Sequence, residues 1–185
     1  MYRLARCILP LYALALAACA ALAPTGAPVS VPAFELAGRI AVHYQDRAFT
    51  SALRWKQAPG GDELWLTAPL GQTIAHLESD AGGATLTGPD QKQYRAGSIE
   101  SLTQSALGWR LPVNGMRYWV RGQAAPGMKL AALETDGARR TTRFLQDDWQ
   151  VSFEYAAGDA PRPSRIDLTN GDAQLRLVID SLSDG

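Results

Sequence analysis

The stretch Phe34-Glu35-Leu36-Ala37-Gly38-Arg39-Ile40-Ala41-Val42-His43-Tyr44 decides the fold. Phe34, Leu36, Gly38, Ile40, Val42 and Tyr44 share one face at a period of two, and Glu35, Ala37, Arg39, Ala41 and His43 share the other. Side chains alternate across a strand, so this segment is a strand with one buried face. The alternation recurs outward from it. Phe49, Ser51, Leu53 and Trp55 alternate with Thr50, Ala52, Arg54 and Lys56. Strands follow at 63–67 and 72–79, then shorter ones at 84–87 and 91–95 joined by Gly88-Pro89-Asp90. In the last third Trp149, Val151, Phe153 and Tyr155 form one apolar row, Ile166 and Leu168 a second, and Leu175, Leu177 and Ile179 a third. Residues 140–145 add a more weakly patterned strand. Eleven prolines and seventeen glycines supply the turns such a chain needs.

The middle of the chain changes period. Ile99, Leu102 and Ala106 lie at helical spacing behind the N-cap Ser98 and stop at Gly108. A second short helix, capped by Asn114, carries Met116, Trp119 and Val120 and ends at Gly122. Two short helices cover only part of the apolar face that so many strands create. The remainder must curl on itself, pack on something or hold a guest. The length of 185 residues and the absence of an internal repeat fit a single domain over 34–185.

The N-terminus is a different kind of sequence. Arg3 and Arg6 precede an apolar run from Cys7 to Ala18. That is the charge and length pattern of a secretory signal over 1–18, and the run is shorter than the roughly 20 residues a spanning helix needs. Leu16-Ala17-Ala18-Cys19 resembles a bacterial lipobox. The resemblance implies that the Cys19 thiol, the strongest side-chain nucleophile, receives a diacylglyceryl group, with cleavage before it and acylation of the new amine. Ala20, rather than an acidic residue, follows the cysteine, which in bacterial lipoproteins implies an outer-membrane destination. Residues 20–32 have no charge and three prolines, so 19–33 reads as an acylated cysteine and a flexible tether with a reach on the order of 40 Å. The mature chain has 167 residues, 16 basic against 18 acidic, and Cys19 as its sole cysteine, so no disulfide is expected.

Several functions are excluded by what is missing. With 18 Lys+Arg against 18 Asp+Glu there is no basic excess to neutralise phosphates, so no nucleic-acid partner is expected. His43 and His76 fall on polar strand faces without a third ligand at metal spacing, and no metal or other cofactor is expected. There is no nucleophile elbow and no phosphate-cradling glycine loop. Asp62-Glu63 and Asp147-Asp148 lie beside strand starts, where turn chemistry accounts for acids. Only two carboxylates from distant strands would leave a hydrolase open, since such sites leave little sequence trace.

One loop breaks a rule. Ala68-Pro69-Leu70-Gly71 suits a type I turn, but its outward third place holds Leu70. Either Leu70 folds back onto the core, or it is a hydrophobic probe for a bilayer or partner.

Several pieces of the chain resemble the outer-membrane lipoprotein LolB family. They are Phe34-Glu35-Leu36-Ala37-Gly38-Arg39-Ile40, Trp55-Lys56-Gln57, the 64–71 segment, Leu107-Gly108-Trp109-Arg110-Leu111-Pro112-Val113, Trp119-Val120-Arg121-Gly122 and Gln146-Asp147-Asp148-Trp149. The resemblance covers most of 34–180 in order and spacing. It implies a mainly β fold, an unclosed antiparallel β-barrel with short helices covering the opening, as in LolA and LolB. It also implies a monomeric acceptor, not an enzyme. Such an acceptor takes acylated lipoproteins from the periplasmic carrier LolA and inserts them into the inner leaflet of the outer membrane. Lipid-anchored at the periplasmic face, it would use Pro69, Leu70 and Gly71 as its membrane-insertion loop, which favours the probe over the fold-back. Leu53, Trp55, Leu64, Leu66, Leu77, Leu102, Trp109, Met116, Trp119 and Phe153 are expected to supply the hydrophobic cavity. The chain departs from the family pattern at Gln123-Ala124-Ala125-Pro126, at Asp148, where glycine is common and a positive φ is required, and at Leu182, where a tryptophan is usual. Two other readings are a lipocalin-like closed barrel for a small apolar ligand, which the mid-chain helices count against, and a structural envelope lipoprotein with a filled core.

Overall fold

A computed structural model describes residues 32–185. The signal segment, Cys19 and all of the tether except Pro32 and Ala33 lie outside the described residues. Eleven strands and two helices follow in chain order. The strands are β1 (Phe34–Tyr44), β2 (Arg47–Ala58), β3 (Gly61–Thr67), β4 (Thr73–Asp80), β5 (Gly83–Thr87) and β6 (Gln93–Ala96) before the helices α1 (Ile99–Leu107) and α2 (Val113–Trp119). After them come β7 (Leu130–Thr135), β8 (Thr141–Gln146), β9 (Trp149–Tyr155), β10 (Pro163–Asn170) and β11 (Ala173–Asp184).

All strands join one antiparallel sheet in the order β6-β5-β4-β3-β2-β1-β11-β10-β9-β8-β7. The opening stretch is its centre, because β1 pairs with both β2 and β11. The sheet does not close: β6 and β7 are its two edges, and the two helices are the chain that runs between them.

The alternation produces continuous rows on the inner face. Leu36, Trp55, Leu64, Leu77 and Leu86 stand side by side across β1 to β5. Val42, Leu175, Leu168, Val151 and Phe144 do the same across β1 to β8 by way of β11. Burying such rows is the main favourable term in folding, at about 25 cal/mol per Å² of apolar surface.

α1 starts and stops as its residues dictate. The Ser98 hydroxyl accepts from the Ser101 N–H at 3.1 Å, and Gly108 ends the helix at φ 87°. The second helix departs from expectation. It begins at Val113 behind Pro112, so Asn114 lies inside its first turn and does not cap it. The missing cap comes from α1, whose Glu100 carboxylate accepts from the Asn114 N–H at 3.0 Å. β7 was not foreseen. Every residue in it is exposed, a bulge separates Ala131 from Glu134, and Ala132 sits at φ 51°, so no alternation marks it.

Gln146 joins α2 to the far half of the sheet. Its fully buried amide accepts from Trp119 Nε1 and from the Ala125 N–H, both at 2.8 Å, and donates to the Ala125 carbonyl at 2.8 Å. Gln146→Leu leaves these groups unpaired in a dry place, and each orphan costs about 1–3 kcal/mol. The expected loss is about 3 kcal/mol, read from the midpoint of denaturant unfolding at unchanged slope.

Candidate functional site

The antiparallel meander sorts its turns between two rims. One rim carries the turns after β1, β3, β5, β8 and β10. The opposite rim receives the start of β1 and the end of β11, where Arg121 donates to the Pro32 carbonyl and pairs with Asp184, each at 3.1 Å. Arg162 and Arg121 together hold the Asp184 carboxyl below its ordinary pKa. The chain therefore enters the barrel at one end and carries its unusual loop at the other.

That loop is a tight three-residue connection. The Gly71 N–H donates to the Ala68 carbonyl and the Ala68 N–H to the Gln72 carbonyl, both at 2.8 Å. Gly71 takes φ 85°, the left-handed value that closes a type I turn in a hairpin. Pro69 presets the turn, and Leu70 projects from its tip 93% exposed. No other large apolar side chain among the described residues is as exposed, so the fold-back alternative does not hold.

Just inside this rim lies an apolar cavity of about 210 Å³ between α1 and the β1–β5 half of the sheet. Of the residues expected there, Leu53, Leu64, Leu66, Leu77, Trp109 and Met116 line it. The other four are spent on packing and tying elements together. Trp55 is fully buried edge-on to Phe34, at 4.8 Å, and donates through Nε1 to Asp62. Leu102 holds α1 to the sheet as buried core. Trp119 is bound by Gln146, and Phe153 packs on Phe144 at 5.3 Å. Ile40, Phe49, Ile74, Ala75, Leu86, Thr103, Leu107 and Leu111 complete the wall. Ile40 and Phe49 were legible, since they share the inward phase of Gly38 and Leu53. The cavity sits in this half where its inner row is thin, with Ala75 facing Leu66. In the other half the row Leu177, Ile166, Phe153 fills the space.

Two acidic pairs resolve differently. Asp147 and Asp148 form a two-residue turn at φ 51° and 67°, the conformation that a non-glycine at Asp148 required. Asp62 is not a turn residue. It lies within β3 with its side chain fully buried, accepts from Trp55 Nε1 at 3.0 Å and forms an ion pair with Arg117 of α2. The histidines also divide. His43 is exposed, whereas His76 is half-buried, stacked on Trp65 at 5.1 Å, with Glu63 at 3.1 Å from Nε2 and Glu78 at 3.8 Å from Nδ1. The sequence expectation of no ligand neighbours is corrected here, because pairing of β3 with β4 brings the three ligand atoms within 4.8 Å of one another. Each carboxylate faces a different ring nitrogen on the outer face of the sheet, Glu63 within hydrogen-bond distance and Glu78 beyond it, the pattern of a cross-strand polar ladder.

The chain is similar to known proteins over most of its length. The model of the family described as outer membrane lipoprotein LolB matches residues 32–181. A relative from Nitrosomonas europaea, named outer-membrane lipoprotein LolB, is 38% identical over 151 residues, covering 80% of this chain and 71% of its own. Another of that name, from Thiobacillus denitrificans, is 36% identical over 172 residues, covering 90% and 91%. Among solved structures, a DUF1329 family protein from Desulfovibrio piger shares the fold at 8% identity and a TM-score of 0.50, covering 85% of this chain and 87% of its own. An outward leucine loop and an apolar cavity on an open barrel thus accompany sequence identity along nearly the whole domain, and the chain belongs to the outer membrane lipoprotein LolB family.

Proposed function

We propose that the protein accepts acylated lipoproteins from the periplasmic carrier LolA and releases them into the inner leaflet of the outer membrane. It is anchored there by the acylated Cys19 and faces the periplasm. The observation that carries this reading is the placement of the 93%-exposed Leu70 on the same rim as the apolar cavity. Burial of hydrocarbon is non-directional, so an apolar wall serves many cargoes. Each methylene kept from water is worth about 0.8 kcal/mol, or on the order of 12 kcal/mol for a sixteen-carbon chain. The transfer makes and breaks no covalent bond. It needs only affinity that rises from carrier to acceptor to bilayer.

The cavity of about 210 Å³ is smaller than the roughly 300–1,000 Å³ of small-ligand pockets, so cargo enters only as the helical cover moves. α2 is tied by Arg117 to β3 and by Trp119 to β8, whereas α1 rests on β4, β5 and β6 through Ile99 and Leu102. Lifting α1 parts two hydrogen bonds, from the Asn114 N–H to Glu100 at 3.0 Å and from the Leu111 N–H to Thr103 Oγ1 at 2.9 Å, and leaves both ties of α2 to the sheet intact, so α1 is the part that lifts, swinging between Ser98 and Gly108.

The start of β1, where the tether joins the domain, and Leu70 lie on opposite rims, and the 11 residues of β1 that run between the rims span about 36 Å. A tether of 13 residues after Cys19, with a reach on the order of 40 Å, can run back along the barrel so that the anchor and Leu70 touch one membrane. The test places a photo-cross-linking residue at Phe49, in the cavity wall, and offers lipoprotein-loaded carrier. Adducts on the cargo's acyl chains are expected. Completed transfer with no acyl adduct would exclude the cavity as the lipid site.

A further inference from the structure

A second and larger cavity, of about 650 Å³, opens on the rim that bears the apolar one. The two share one wall residue, Trp109, which is 6% exposed. The partition between them is the end of α1 and the link to α2, and it works by alternation. Thr103, Leu107 and Leu111 turn to the apolar side, Gln104, Gly108, Arg110 and Pro112 turn to the other, and Trp109 stands between them. The second cavity is polar and aromatic. Tyr44, Trp149, Trp109 and Trp119 contribute rings, Glu100, Asp147 and Asp148 contribute carboxylates, and Arg110 is its one cation. Among the described residues Asp147, Asp148 and Arg110 form no ion pair, so their charges are free to meet a ligand.

An acylated protein presents two chemistries at one point: hydrocarbon at the modified cysteine, and an extended polypeptide leaving it. We infer that the larger cavity is the seat of that polypeptide, the few residues that directly follow the acylated cysteine of the cargo, with the acyl chains across the Trp109 partition. The inference rests on the lipoprotein-acceptor reading and divides its site in two. Three carboxylates against one guanidinium give the seat a net negative charge, so it favours a segment that is uncharged or basic and disfavours an acidic one. The rings offer flat faces to backbone amides and to cationic side chains.

The test uses the full anchored protein with a photo-cross-linking residue at Tyr44 on the seat or at Phe49 on the apolar wall, and lipoprotein delivered by the carrier. The expected result is Tyr44 adducts on the first few cargo residues after the cysteine and Phe49 adducts on the acyl chains. Tyr44 adducts only on the cargo's folded domain, or none while Phe49 still captures acyl chains, would overturn the seat and leave the acceptor reading standing. Failure of both would overturn the acceptor reading and the seat with it. A second arm compares cargo with Lys or Glu at the two positions after the cysteine. Transfer of the Lys form is expected to be about three- to tenfold more effective, and the joint substitution Asp147→Asn and Asp148→Asn, which keeps residues tolerant of positive φ, should bring the ratio close to one. A ratio that the substitutions leave unchanged would overturn the charge selection.

Discussion

Leu70→Glu is expected to leave the protein folded and able to take cargo from the carrier, while its release of cargo into vesicles falls by tenfold or more. The first half follows from exposure. A side chain 93% in solvent, on a turn closed by backbone hydrogen bonds, changes stability by no more than about 0.5 kcal/mol when replaced. The second half follows from transfer energetics. Inserting a leucine into hydrocarbon is worth about 1.5–3 kcal/mol, a factor of roughly ten to a hundred in any step that depends on it, and a carboxylate resists the same step. Leu70→Ile, which keeps the apolar surface, should release cargo at close to the original rate. The measurement is the rate at which labelled lipoprotein moves from the acceptor to vesicles of outer-membrane lipid. An unchanged rate for the glutamate variant would remove the loop from the mechanism.

The fold was legible where one face of an element is buried and the other wet. The rows through β1, β2, β9 and β11 follow from period two, and α1 from a cap, a spacing and a glycine. Legibility failed where a partner distant in sequence does the work. α2 begins one residue ahead of its apparent cap because Glu100 of α1 takes over that role. β7 hides because an edge strand exposed on both faces has no pattern to show. Leu70 stood out as an apolar residue where a turn wants a polar one. The cavity wall was half visible: phase along a strand tells which residues point inward, but whether they meet a neighbour or a void depends on the thinness of the facing row, here at Ala75. The Glu63–His76–Glu78 ladder and the Asp62–Arg117 pair needed the register itself.

That ion pair carries the other large expected effect. Arg117 leaves α2 to meet Asp62 with Nε at 3.1 and 3.3 Å from the two carboxylate oxygens. Asp62 has no exposed side-chain surface, and Arg117 has 27%. Arg117→Met strands a carboxylate in the core, with only Trp55 and Ser79 to bond it. Removing one partner of a buried pair costs about 3–5 kcal/mol, which for a domain of this size lowers Tm by roughly 10 °C. If the charge itself supplied the stability, removing both partners would cost at least as much. The double variant Asp62→Leu, Arg117→Met should instead regain most of the loss, keeping a deficit of about 1–3 kcal/mol from the orphaned Trp55 N–H. That outcome would mean that the pair specifies where α2 sits more than it stabilises the fold. With the clamp gone in the double variant, the cover over the cavity should open more readily, so an apolar fluorophore should enter faster than in the original protein at matched stability. Equal entry rates would mean that α1 alone governs access and that the clamp has no part in admitting cargo.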